Sequence, residues 1–101
     1  MVNKKYLEGL KTGIGMLNHF IKRLEKKNPI KGGLVDATHT IESNTSVLKT
    51  GFQQERNNIK IKICDNILAE VAKIRQTKPY DTKKLRDISV RLTVLAGNLS
   101  S

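Results

Sequence analysis

Tryptophan is absent, cysteine occurs once, and only two tyrosines and two phenylalanines stand among the 101 residues. Each shortage excludes something. A lone Cys64 cannot close an internal disulfide or supply a multi-thiolate metal site, and its place in the apolar-rich stretch Ile59 to Ile67 marks it as a structural thiol. So few aromatic rings leave no stacking platform of the kind that single-strand nucleic-acid binders use. Long apolar runs are missing too, and nothing approaches the ~18 consecutive apolar residues of a bilayer span. The basic start MVNKKYLEGLK leads into glycine and charge where a signal peptide has its apolar centre, so the expected location is cytoplasmic, with association at a membrane left open. Acidic residues are the last scarcity. Nine of them face 19 lysines and arginines, a formal charge of +10 that attracts polyanions, so nucleic acid and anionic membrane surfaces are candidate partners.

What is present is helical periodicity. Leu7, Ile14 and Ile21 form one seven-residue row, and Leu10, Leu17 and Leu24 form a second, together making one apolar face along Asn3 to Lys27. Asn3 suits an N-cap, and Asn28-Pro29 suits a stop. Gly9, Gly13 and Gly15 weaken this helix by about 1 kcal/mol each, and Gly9 and Gly13, one turn apart, predict close packing or a local bend. IKGG (residues 30–33) reads as a turn. A second helix follows on Leu34, Thr38, Ile41, Thr45 and Leu48, weak in propensity because of its Thr, Ser and Asn residues, with Gly51 expected as its C-cap.

A third helix is expected from Phe52 to Thr77 on Phe52, Ile59, Ile63, Ile67, Val71 and Ile74, with Glu55 and Glu70 facing solvent. The alternation Ile59-Lys60-Ile61-Lys62-Ile63 is a strand signal, but no second segment alternates to pair with it, so helix is preferred. After the break at Lys78-Pro79-Tyr80, Asp81 is a good N-cap for a fourth helix that carries the rows Leu85, Leu92, Leu99 and Ile88, Leu95. Gly97 is expected to end it, leaving Asn98 to Ser101 as a polar tail. The fold class expected is all-α, one domain, an antiparallel up-and-down four-helix bundle in which the first and last helices share the core. Alternatively the seams complete a bundle between chains, as a homo-oligomer.

No reactive constellation accompanies this architecture. His19 lies beside the first seam, and His39, three residues after Asp36, reads as part of a surface pair, with no nucleophile or third group at matching spacing. Two scattered histidines and one cysteine make no recognisable metal ligand set, and Gly32-Gly33 and Gly13-Ile14-Gly15 lack the surroundings of a phosphate loop. The expectation is a non-enzyme with no catalytic residue, no metal and no cofactor. The first helix is the most basic segment, and Lys4, Lys11, Lys22, Arg23 and Lys26 fall mainly off its apolar seam. They form either a solvated face or a patch that follows a phosphate backbone or anionic headgroups. Without a base-reading motif, any nucleic-acid binding should depend on salt and little on sequence.

From Ile41 to Leu92 the chain reads IESNTSVLKTG, then a helix containing ICDNILAEVAKI, then a break and DTKKLRDISVRL. This half of the chain resembles the immunity proteins of pediocin-like bacteriocins, the enterocin A immunity type, which have a helix ending in Leu-x-x-Gly, here Leu48-Lys49-Thr50-Gly51, then a long helix and a final helix rich in Leu and Lys. The resemblance implies a non-enzymatic protector acting at the inner side of the membrane. Its partner would be a membrane receptor protein or the receptor–bacteriocin complex. Specificity would reside in the C-terminal half, here Lys83, Lys84, Arg86, Arg91 and the tail after Gly97 with Asn98. A small basic nucleic-acid-binding or accessory protein of phage or plasmid type is the alternative.

Overall fold

The computed structural model describes residues 2–27, 33–76 and 81–100, and among them it contains four helices and no strand. They are α1 (Val2–Glu25), α2 (Gly33–Gln54), α3 (Asn58–Gln76) and α4 (Thr82–Ser100). Each helix packs on the next and α4 packs back on α1, giving a square bundle of 44 × 20 × 19 Å. Neighbours run antiparallel. Gly9 of α1 lies against Asn44 of α2 while Gly13 lies against Ile41, and Lys49 pairs with Asp65 while Glu42 pairs with Arg75. On the other side Glu25 meets Arg86 and Asn18 meets Ser89.

The apolar rows meet in one core. Leu10, Ile14, Leu17 and Ile21 of α1 are buried beside Leu85, Ile88, Leu92 and Leu99 of α4, with Ile41, Leu48, Ile67, Val71 and Ile74 closing the other half. Leu7 and Leu24, at the ends of the α1 rows, pack only partly against it. Phe20, off both rows, is buried as well. Cys64 is fully buried in the core, and burial, aided by the Asp65 carboxylate and only partly offset by Lys49, pushes its thiol up to about 11. The Ile59 to Ile63 stretch is helical, and Ile61 and Ile63 pack against the core while Ile59 faces solvent.

Several boundaries differ from those the sequence predicts. Asn3 lies inside α1, which begins at Val2, so it is not the N-cap. Gly51 does not end α2 and Gly97 does not end α4; both are helical, and the helices run on to Gln54 and Ser100. The reason is energetic. Phe52 and Leu99, just beyond these glycines, are 4% exposed, and burying each is worth about 1.5–3 kcal/mol, more than the ~1 kcal/mol a helical glycine costs. Phe52 therefore belongs to α2, not to the third helix, and Leu99 belongs to the core, not to a polar tail.

α2 stops instead at Arg56, whose φ of 57° is left-handed without the help of glycine. Backbone bonds from Asn57 N to Phe52 O (2.9 Å) and from Arg56 N to Gln53 O (3.1 Å) close a Schellman motif there. The Asn57 side chain then accepts from Lys60 N at 3.2 Å, capping the start of α3. Asp81 caps α4 as expected, its carboxylate accepting from Lys83 N (3.0 Å) and Lys84 N (3.3 Å). α1 ends before Lys27, also at φ 57°; the stop at Asn28-Pro29, most of the IKGG turn and the Lys78-Pro79-Tyr80 break lie outside the described residues.

Candidate functional site

The α4 residues singled out by the resemblance do not form one patch. At 100° per residue, Lys84, Arg91 and Asn98 fall within about 40° of one another on the side toward α3, Lys83 points outward about 60° from Asn98, and Arg86 points toward α1. Arg86 is tied to Glu25 at the end of α1. Arg91 donates from Nε to Glu70 Oε1 of α3 at 2.6 Å, and Lys73 holds the other carboxylate oxygen at 2.9 Å. Lys83, Lys84 and Asn98 stand exposed.

Glu70 is therefore not a solvent-facing charge; it is 8% exposed. Burial, the largest single influence, acts to raise its pKa, but hydrogen bonds from Lys73 and Arg91 and their positive charges together outweigh it and leave the carboxyl below its ordinary value. Arg91 carries this tie across to α4, while Lys73 closes on Glu70 within α3.

Beside that carboxylate a groove of about 470 Å³ runs between α3 and α4, lined by Asn66, Ala69, Glu70, Lys73, Val90, Arg91, Val94 and Leu95. Val90 and Val94 are each 58% exposed, one turn apart on α4. Sequence reasoning passed over them because they belong to neither leucine row. Their (i, i+4) spacing off the seam was the available signal.

A second groove of about 370 Å³ separates α1 from α4, lined by Lys11, Ile14, Gly15, Asn18, Thr93, Ala96 and Gly97. Asn18 and Ser89 hydrogen-bond across this seam. Of the basic residues predicted on α1, Lys4, Lys11, Lys22 and Lys26 are exposed on one side, whereas Arg23 is half-buried about 100° away and does not join them. The α2–α3 side carries its charges in cross-helix pairs, Lys49–Asp65 at 2.6 Å and Arg75–Glu42.

His19, Asp36 and His39 are all exposed. Among the described residues no group of three or more His, Cys, Asp or Glu side chains is placed to hold a metal ion, and no helix is long and apolar enough to cross a membrane. Comparison of the chain with protein-family models, curated proteins and solved structures returns no match.

Proposed function

We propose that this protein is a non-enzymatic immunity protein of the pediocin-like bacteriocin kind, working by protein contact through its α3–α4 hairpin at the cytoplasmic side of the membrane. The observation that carries the reading is the exposed pair Val90 and Val94 above the α3–α4 groove, in the half of the chain where the resemblance puts specificity. A contiguous apolar strip beside paired charges is the anatomy of a docking surface, with an apolar centre and a polar rim. The order of parts supports it as well: Leu48 to Gly51 lies near the end of α2, one turn before its stop, and α3 and α4 follow. A charge of +10 opposes pairing of this face with a second copy, so the partner is a different protein, the receptor or its bacteriocin complex.

Expression in a bacteriocin-sensitive strain tests the reading. The chain should protect against at least one member of a panel of pediocin-like peptides, and the Val90→Asp/Val94→Asp variant, with its helical circular dichroism intact, should not. Unchanged killing across the panel by cells carrying the wild-type chain would count against it.

A further inference from the structure

Four lysines of α1 and the turn that follows it form a row that Lys5, about 100° away, does not join. At 3.6 residues per turn, Lys4, Lys11 and Lys22 fall within about 20° of one another, with Lys26 about 40° further round. The backbone bond from Lys26 N to Lys22 O, 3.2 Å, continues the helical path through Lys26. All four side chains are exposed, and among the described residues none of the four has an ion-pair partner. The row lies about 160° around the helix from Gly9 and Gly13, so it faces away from α2 and flanks the α4 seam.

We infer that this row is a sequence-independent docking surface for duplex nucleic acid, a binding activity separate from the α3–α4 contact. From Lys4 to Lys26 it spans roughly 33 Å at 1.5 Å per residue, close to the ~34 Å of one duplex turn. Exposed ammonium groups spread over that length can each neutralise a phosphate and release its condensed counterion. A bilayer surface fits less well. Helices that settle on lipid insert an apolar face, whereas the apolar face of α1 is committed to the core, and among the described residues the large exposed hydrophobics Val35, Val47, Ile59, Val90 and Val94 all lie on other helices. Scarce aromatics disfavour single strands. Glu8, exposed on the flank of the row, is the acidic group that works against it.

Fluorescence anisotropy of the full chain with a labelled ~24-base-pair duplex, from about 25 to about 300 mM salt, tests the inference. The association constant should fall with salt with a log–log slope of about −3 to −4, as four phosphate contacts require. The variant K4A/K11A/K22A/K26A should bind at least about 30-fold more weakly at low salt and lose about one unit of slope per lysine. Removing the same charge elsewhere, in K60A/K62A/K83A/K84A, should change affinity less than about threefold. Glu8→Gln, which leaves every lysine in place, should tighten binding by about two- to threefold and provides a readout should the quadruple variant not fold. No binding at the lowest salt overturns the inference, as does an equal loss in the control variant. Binding to vesicles of about 30% phosphatidylserine without duplex binding overturns it in favour of a lipid surface.

Discussion

The two seams that α1 makes with its neighbours use glycine in opposite ways. On the α2 side, a Cβ at Gly13 would stand 2.7 Å from Ile41 Cγ1 and 3.0 Å from the Ile41 backbone nitrogen, and one at Gly9 would overlap the Asn44 side-chain amide. On the α4 side, nothing lies within 4 Å of the Cβ positions of Gly15 or Gly97, and both residues line the open groove. Glycine at the first seam lets two backbones close up. At the second it leaves space beside the lysine row and costs helix stability with no packing in return. Residue type alone carries neither meaning; the distance of the neighbouring helix does.

The largest effect that tests this contrast is expected at Gly13. Gly13→Leu must push α2 away at Ile41, where backbone as well as side chain blocks it, and should cost about 3 kcal/mol in chemical denaturation. A variant as stable as the parent would show that the α1–α2 seam is looser than described. Next comes the reverse sign at the open seam: Gly15→Ala with Gly97→Ala should raise stability by about 1–2 kcal/mol together, since each replaces an exposed helical glycine at a site with room. A loss there would mean that the groove closes in solution.

The third seam, between α3 and α4, answers to acid. The Glu70 pKa is lower in the folded protein than in the unfolded chain, so its contribution is fully present above the unfolded value near 4.5 and is lost as pH falls through the folded value. Melting temperature should therefore drop more steeply with acidification below that point in the parent than in Glu70→Gln, and parallel profiles would remove Glu70 as a tie between the helices. The smallest change is expected from Gly9→Ala. The obstacle there is the end of a flexible side chain, held to Thr40 O by a 2.8 Å bond from Asn44 Nδ2. Its displacement should nearly cancel the propensity gain, leaving stability within about 0.5 kcal/mol of the parent.

Much of the fold was legible because heptad spacing reports directly which side of a helix is buried. The α1 and α4 rows and the Asp81 cap follow from spacing and residue chemistry, and of the two outcomes open at Gly9 and Gly13, close packing or a local bend, the structure has the close packing. Helix ends were less legible. Glycine predicts a stop at Gly51 and Gly97, yet Phe52 and Leu99 beyond them are buried by neighbouring helices, and the stop after α2 falls on Arg56 in a conformation usually given to glycine. The candidate site was the least legible part. Arg86 and Arg91, to which the resemblance assigns specificity, close on Glu25 and Glu70, partners that lie 61 and 21 residues away and meet them only across helix seams.

By itself the sequence determined that this chain forms four amphipathic helices, and that the basic residues of α1 fall mainly off its apolar seam, since both follow from local periodicity at 3.6 residues per turn. Tertiary structure decided which charges are already satisfied, which valines remain uncovered and which glycines are filled. Those outcomes depend on the approach of one helix to another, and α1 and α4, at opposite ends of the described chain, pack side by side only in the folded bundle.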